Sequence, residues 1–138
     1  MMTMMDATKS SGPRKRILIV DDEEQILLLL KTILNVYGYE SIEVVSPKET
    51  FAKVKAEQPD LVILDIAMPE MDGYQVCKLI KSDPASKNIP VVMITALALE
   101  QDRKCALEAG ADGFILKPFD PRDVIAEIEK LCGGRQSS

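Results

Sequence analysis

The sequence predicts an α/β protein in which five βα units form one doubly wound parallel sheet with helices on both faces. Short apolar runs alternate with longer segments whose apolar residues recur at helical spacing, and this alternation is typical of βα units. Several of the runs are continuously apolar, as strands covered on both faces must be. The predicted strands are Arg16–Val20, Ser41–Val45, Leu61–Leu64, Val91–Ile94 and Gly113–Leu116.

The first two helices are predicted from the residues at their ends. The first spans about Glu23–Tyr37 and ends at Gly38, a residue type that commonly closes helices. At the start of the second, Ser46 is a candidate cap, Pro47 suits the first helical position and Glu49 completes a capping box. We therefore expect a regular helix directly after Ser46.

The remaining helices carry comparable signals. The third spans about Tyr74–Ser82 and is stopped by the segment "DPASKNIP". The fourth spans about Glu100–Ala109 and ends at Gly110. The fifth spans about Pro121–Cys132, and Asp120 is its predicted cap.

The length and composition fit a single domain. The chain has 138 residues, of which 46% are apolar and 28% are charged, and this is enough for one core. Residues 1–13 and 133–138 lack apolar periodicity, so we expect flexible tails at both ends. The folded domain is predicted to span residues 14–132.

The charge and hydropathy argue against two classes of partner. The chain has 22 acidic and 17 basic residues, and its net charge of −5 has the wrong sign for general binding to a phosphate backbone. No apolar run approaches the roughly 18 residues that a membrane helix needs, and the N-terminus lacks the apolar core of a secretory signal. We therefore expect a cytoplasmic protein that binds neither DNA directly nor membranes.

The cysteines do not indicate a metal site or a disulfide framework. Cys77, Cys105 and Cys132 lie far apart in a chain that contains no histidine. This spacing matches neither a zinc motif nor an even set of paired thiols. We interpret all three as reduced, partly buried apolar residues.

Polar residues collect at the points where the predicted strands end. Asp21 and Asp22 follow the first strand, Asp65 the third, Thr95 the fourth and Lys117 the fifth. The carboxyl ends of the strands form the ligand-binding edge of an open α/β sheet, so the three aspartates converge if the first strand lies beside the third. The alternative for Asp21 and Asp22 is that they only cap the first helix.

These residue types indicate phosphoryl chemistry. Three neighbouring carboxylates repel one another unless a cation joins them. Oxygen ligands without histidine or thiolate favour Mg²⁺, or a similar hard ion such as Mn²⁺, held by a few carboxylates and water. Lys117 adds an ammonium that can pair with an anion, and Thr95 adds a hydroxyl that can donate to an anionic oxygen. A metal and a lysine together can offset the charge of a transferring phosphoryl group.

Four segments carry a resemblance to a known family. "VDDEE" after the first strand, "LDIAMPEMDG" at the end of the third, "ITAL" at the fourth and "FILKPF" at the fifth resemble the receiver domain of two-component response regulators, over residues 15 to about 132. The resemblance is to single-domain, chemotaxis-regulator-like members. It implies a flavodoxin-like sheet of strand order 2-1-3-4-5. It also implies a phosphorylation-controlled signalling switch rather than an enzyme.

The resemblance implies a role for each residue at the strand ends. Asp65 would accept a phosphoryl group from a phosphohistidine on a sensor histidine kinase or a histidine phosphotransfer protein. Mg²⁺ would be bound by Asp65, directly by Asp22, through water by Asp21, and by the backbone carbonyl of Ala67. Lys117 would contact the acyl phosphate. The domain would assist its own phosphorylation and would lose the phosphoryl group slowly.

The resemblance also implies how the switch reaches a partner. Thr95 would move to hydrogen-bond the acyl phosphate, and Phe114 would rotate inward, altering the face of the fourth and fifth strands. The Lys117–Pro118 peptide bond is expected to be cis. Phe114 lacks the hydroxyl of the tyrosine often found there, and a plain core role for it stays open. No DNA-binding domain follows the motifs, so we expect a downstream effector protein to receive the signal, unless the chain is a fragment of a longer regulator.

The first helix suggests a docking surface. On a helical wheel its predicted apolar face is formed by Ile26, Leu29, Leu30, Ile33 and Tyr37. Leu28 falls on the polar side of the wheel and Leu27 at its border. Because receivers dock this helix against the helical hairpin of the kinase, our hypothesis is that Leu27 and Leu28 contribute to partner recognition. Ordinary surface exposure of a leucine is the alternative.

Three other functions are weighed against this resemblance. A hydrolase of the haloacid dehalogenase type needs a second aspartate two residues after the nucleophile, where this chain has Ala67. A flavin-binding module needs a phosphate loop after the first strand, where "DDEEQ" would repel the phosphate. A scaffold without phosphorylation would not need every acceptor-site position filled.

Because Ala67 and Leu97 cannot orient an attacking water, we predict a long-lived phosphorylated state.

Overall fold

The computed structural model describes residues 14–44, 47–68, 71–96 and 100–132. The two predicted tails, the candidate cap Ser46 and Leu97 lie outside these ranges. The domain limits of 14–132 therefore stay a prediction. The described ranges contain all of the predicted strands except the last residue of the second, Val45.

The described residues form one five-stranded sheet and one short hairpin. The strands are β1 (Arg16–Val20), β2 (Glu40–Val44), β3 (Leu61–Asp65), β4 (Ala67–Met68), β5 (Met71–Asp72), β6 (Val91–Thr95) and β7 (Gly113–Leu116). The sheet has the order β2-β1-β3-β6-β7 with parallel pairing throughout, which confirms the predicted order 2-1-3-4-5 once the hairpin strands β4 and β5 are left out. The antiparallel hairpin was not predicted, because each of its strands has only two residues and shows no alternation.

Five α-helices and one 3₁₀-helix connect these strands within the described ranges. None of the described helices combines the length and the apolar character needed to cross a membrane. The helices are α1 (Glu24–Val36), α2 (Thr50–Glu57), α3 (Gly73–Ser82), α4 (Glu100–Glu108) and α5 (Pro121–Cys132), and the 3₁₀-helix spans Pro47–Glu49.

The predicted start of the second helix is wrong, whereas that of the fifth is confirmed. Residues Pro47–Glu49 form a 3₁₀ turn, and Glu49 becomes the residue before α2 without a side-chain cap hydrogen bond. The tighter turn is a common way to begin a helix, and it displaces the capping box. At α5 the Asp120 carboxylate accepts the Arg122 N–H at 2.8 Å, as predicted for a cap.

The core forms one layer on each face of the sheet because successive strand residues point to opposite faces. In β1, Leu18 and Val20 belong to the layer covered by α2, α3 and α4. Ile17 and Ile19 belong to the layer covered by α1 and α5. With both faces covered, the carboxyl edge of the sheet is where polar residues reach water.

The apolar face of α1 differs from the prediction. Its buried residues are Leu27, Leu30, Ile33 and Leu34, while Leu28 and Leu29 are exposed. Apolar residues surround most of this helix, so periodicity alone does not fix its rotation, and packing of α1 against the sheet does. Leu27 is only 3% exposed and offers little surface to a partner, whereas Leu28 is open to solvent, so the docking role of these two leucines stays a prediction that rests mainly on Leu28.

Candidate functional site

The strand register brings the predicted site residues to one edge. Val20 of β1 is paired with Leu64 of β3. The residues that follow them in sequence, Asp21 and Asp65, therefore lie side by side. Asp65 is paired with Ile94 of β6. The edge continues across β6 and β7, which end in Thr95 and Leu116. Adjacent strands thus present carboxylates, a hydroxyl and, after β7, an ammonium.

The three predicted metal-binding aspartates form one cluster. One carboxylate oxygen each of Asp21, Asp22 and Asp65 lies within 4.8 Å of the others. Asp21 and Asp65 are 1% and 3% exposed, whereas Asp22 is open to solvent. Burying two like charges at this separation is costly unless a cation joins them. An all-oxygen donor set with one solvent-facing member fits Mg²⁺, which retains several of its waters.

Lys117 lies among these carboxylates. Its Nζ is 2.9 Å from Asp21 Oδ2, 3.3 Å from Glu23 Oε1 and 3.6 Å from Asp65 Oδ2. Burial by itself would lower the pKa of the Lys117 ammonium. The hydrogen bond to Asp21, the charges of Asp65 and Asp21, and the bond to Glu23 outweigh it and raise the pKa above its usual value. Lys117 is therefore a fixed positive charge at neutral pH.

Asp21 also fixes the backbone at the start of α1. Its Oδ1 accepts the Glu23 N–H at 2.9 Å while its Oδ2 binds Lys117. The residue at the N-cap position of α1 is Glu23, not Asp21 or Asp22, and it makes no side-chain cap hydrogen bond. Helix capping therefore does not account for the two aspartates.

Gly73 holds the loop after Asp65 in place through its lack of a side chain. The Gly73 N–H donates to the Ile66 carbonyl at 3.4 Å, so α3 begins directly against the end of β3. A Cβ on residue 73 would stand 2.8 Å from the Asp65 carbonyl oxygen. The β4–β5 hairpin can therefore pack this closely on the end of β3 only with glycine at position 73.

Thr95 and Phe114 occupy β6 and β7, the strands of the predicted switch. Thr95 is completely buried, and its carbonyl accepts the Lys117 N–H at 2.8 Å. Phe114 is partly buried and packs against the core layer under α4. The guanidinium of Arg103 lies 5.2 Å from the centroid of its ring. The Lys117–Pro118 bond is cis, as the resemblance implies.

Two residues of the predicted site are not fully described by the structure. Ala67 begins β4, two residues after Asp65, but its side chain lies outside the description, as does all of Leu97. The contacts of Glu23 with Lys117 and of Arg103 with Phe114 were not predicted. Glu23 lies within the quoted motif "VDDEE", yet only the fold shows that it reaches Lys117 together with Asp21.

Comparison with known proteins identifies the class to which this fold and site belong. The sequence profile of the response regulator receiver domain matches residues 17–129. The chain belongs to this family, whose members act as phosphorylation-controlled switches in two-component signalling.

Individual relatives agree with this assignment. The chain is 41% identical over 118 residues to the protein named "Probable transcriptional regulator ycf27" of Cyanophora paradoxa, covering 86% of this chain and 48% of that protein. It is 40% identical over 117 residues to the alkaline phosphatase synthesis transcriptional regulatory protein PhoP of Bacillus subtilis, covering 85% and 48%. The chain thus spans about half the length of these curated relatives.

A solved structure shows the same fold over its whole length. The CheY-like response regulator receiver domain protein of Methanospirillum hungatei superposes with a TM-score of 0.79 at 36% identity, covering 91% of this chain and 100% of that one. The predicted fold class is thereby confirmed.

Proposed function

We propose that the domain accepts a phosphoryl group on Asp65 from a phosphohistidine of a histidine kinase or a histidine phosphotransfer protein. The observation that carries this proposal is the position of the Asp65 carboxylate. It is almost fully buried, clustered with Asp21 and Asp22, and 3.6 Å from the Lys117 ammonium. A carboxylate placed beside an ammonium at the edge of the sheet is suited to act as a nucleophile.

The transfer itself needs little covalent chemistry from the protein. One oxygen of the Asp65 carboxylate attacks phosphorus while the phosphorus–nitrogen bond of the phosphohistidine breaks. The electron pair of that bond returns to the imidazole nitrogen, and the imidazole leaves neutral when its other nitrogen carries a proton. The protein contributes position and charge, which supply most of the catalysis in phosphoryl transfer.

A divalent metal completes the site. Asp21, Asp22, Asp65 and the carbonyl of Ala67 would hold Mg²⁺ or Mn²⁺, with Asp21 acting through water. When bound, the metal offsets the negative charge on the transferring group. The chain's own contribution is Lys117, whose ammonium can move from Asp21 to an oxygen of the acyl phosphate because it already lies within reach of both aspartates.

The phosphorylated state would be read on β6 and β7. Thr95, buried at the end of β6, would hydrogen-bond the phosphoryl group, and Phe114 would follow it inward. The ring of Phe114 is only partly buried and is covered by Arg103 of α4, so its movement would change the surface of α4. An effector protein that binds this face would sense the change.

The partners we propose are proteins. The related ycf27 and PhoP are named as transcriptional regulators and are about twice as long as the matched region. The net charge of −5 of the whole chain opposes direct contact with DNA. For the kinase we propose that Leu28, which is 64% exposed on α1, is part of the docking surface.

Intact mass spectrometry tests the acceptor. Incubation with acetyl phosphate and Mg²⁺ is expected to add one phosphoryl group to the wild type and none to Asp65→Asn. Removal of the metal by a chelator is expected to abolish the gain. A mass gain that persists in Asp65→Asn would show that another residue accepts the group.

The proposal also covers how long the phosphoryl group stays on Asp65. We propose slow self-dephosphorylation and no turnover of external phosphate esters, because alanine at position 67 and leucine at position 97 carry no polar group that could orient a hydrolytic water. Placing Asn at 67 and Glu at 97 is expected to shorten the phosphorylated lifetime. Rapid loss in the wild type, unchanged by these substitutions, would contradict this.

A further inference from the structure

The Lys117 ammonium is held by a carboxylate that lies outside the three-aspartate cluster. Among the described residues, its hydrogen bonds go to Asp21 and Glu23, at 2.9 and 3.3 Å, while Asp65 lies farther away at 3.6 Å. These two contacts hold the ammonium closer to Asp21 and Glu23 than to Asp65, where the proposed phosphoryl group would be.

Glu23 is held beside Lys117 by the same aspartate. Asp21 binds the Glu23 N–H with one carboxylate oxygen and Lys117 with the other. The Glu23 carbonyl also accepts the N–H groups of Ile26 and Leu27, which fixes its backbone at the start of α1. The Glu23 side chain thus extends from a rigid position toward the ammonium.

A cation in the cluster would affect the two contacts of Lys117 differently. Asp21 is one of the three clustered carboxylates, so a bound cation would compete with the ammonium for it. Glu23 is not part of that cluster, so a cation bound there would not compete with the ammonium for the Glu23 carboxylate. Glu23 would therefore be the contact that Lys117 keeps when the site is loaded.

We propose that Glu23 is a positioning residue that holds Lys117 away from Asp65 in the resting domain and so slows phosphorylation. The inference rests on the proposed function of Asp65. Glu23 also adds a negative charge at the open side of the site, which repels an anionic phosphoryl donor. The contact with Lys117 and the repulsion of the donor both slow phosphorylation. Loss of the Glu23 carboxylate is therefore expected to raise the rate of phosphorylation.

Glu23→Gln is the variant that tests the proposal, and Glu24→Gln is its matched control. Both remove one negative charge from neighbouring positions at the N-terminal end of α1, but only Glu23 contacts Lys117. The Glu23 side chain is largely exposed, and exposed ion pairs are weak, so we expect an increase of about two- to fivefold in the initial rate with acetyl phosphate at saturating Mg²⁺. Glu24→Gln is expected to match the wild type.

Glu23→Asp tests the contact with Lys117 separately from the negative charge of the carboxylate. It keeps the negative charge but shortens the side chain by one methylene, so it is expected to phosphorylate faster than the wild type, like Glu23→Gln. A rate for Glu23→Asp equal to that of the wild type would mean that charge alone acts, and would overturn the positioning role.

Two further measurements do not require phosphoryl transfer. In metal-free protein, the Lys117 ammonium signal in ¹H–¹⁵N NMR spectra is expected to shift in Glu23→Gln and to stay unchanged in Glu24→Gln. With Mg²⁺, beryllofluoride, a phosphoryl mimic, is expected to bind about two- to fivefold more tightly to Glu23→Gln than to the wild type. Equal affinities, or an unchanged ammonium signal, would overturn the inference.

Failure of the inference is distinguishable from failure of the proposed function. If Asp65 is not the acceptor, the wild type itself neither gains a phosphoryl group at Asp65 nor binds beryllofluoride. If only the role of Glu23 is wrong, the wild type does both, and Glu23→Gln behaves as the wild type does.

Discussion

The backbones of Gly73 and Asp65 are in direct contact. A Cβ atom on residue 73 would stand 2.8 Å from the Asp65 carbonyl oxygen and 2.8 Å from the Cα of Ile66. Both neighbours are backbone atoms, so they cannot be accommodated by a change of rotamer. The strand end that carries the proposed acceptor therefore depends on the absence of a side chain at position 73.

Gly73→Ala is expected to lower the free energy of unfolding by about 1–3 kcal/mol, because one methyl group must be fitted into closely packed backbone. Phosphorylation by acetyl phosphate is expected to slow, since the end of β3 must shift. Urea denaturation and the rate of mass gain measure the two effects. Gly38→Ala is the control: it strains a residue with φ of +86° but has open space around it, so only stability is expected to fall. A folded Gly73→Ala that is phosphorylated at the wild-type rate would contradict this.

The cysteines are expected to differ in their reaction with iodoacetamide. Burial raises the pKa of the Cys77 thiol to about 12, so at pH 8 very little of the reactive thiolate is present. Cys105 is exposed on α4 and is expected to react first. Burial also raises the pKa of Cys132, which is expected to react more slowly than Cys105. Peptide mapping over time gives the order, and early labelling of Cys77 in folded protein would contradict the described core.

Leu28→Lys is expected to slow phosphotransfer from the cognate kinase at least about fivefold, as loss of an apolar anchor worth about 1 kcal/mol would. Phosphorylation by acetyl phosphate is expected to be unchanged, because Leu28 is on the exposed side of α1 and is not one of the proposed site residues. Val36→Lys is the matched control, since Val36 is equally apolar and exposed but lies about 12 Å farther along α1. Unchanged kinase transfer in Leu28→Lys would remove this residue from the docking surface.

Arg103→Ala is expected to lower the free energy of unfolding by about 0.5–1 kcal/mol, the usual contribution of an exposed cation–π contact. Lys104→Ala, at the next exposed position of α4, is expected to change it less. Urea denaturation of both variants measures the difference. Equal effects would show that the contact between Arg103 and Phe114 does not stabilise the domain.

The sequence predicts the sheet well because strand burial is a local property. The limits of β1 and β7 agree with the predicted Arg16–Val20 and Gly113–Leu116. β2 begins one residue earlier than predicted, at Glu40, and β3 and β6 extend one residue further, to Asp65 and Thr95, because these polar residues continue the ladder. The predicted last residue of β2, Val45, lies outside the described residues. The aspartate cluster follows from the strand order alone, so it was also predictable.

The features that the sequence does not predict depend on side-chain direction or on packing between elements. The rotation of α1, which buries Leu27, is set by the sheet beneath it, because the helix carries apolar residues on most sides. The contact of Glu23 with Lys117 joins residues that lie 94 positions apart. No local pattern selects Glu23 over its acidic neighbours.

The most direct test of the central claim is to locate the phosphoryl group chemically. An aspartyl phosphate is an acyl phosphate, which borohydride reduces to homoserine, so the modified residue can be read by tandem mass spectrometry after phosphorylation with Mg²⁺ present. We expect homoserine at position 65 and at no other position. Homoserine in place of Asp21 or Asp22, or phosphorylation without any reducible acyl phosphate, would show that Asp65 is not the acceptor.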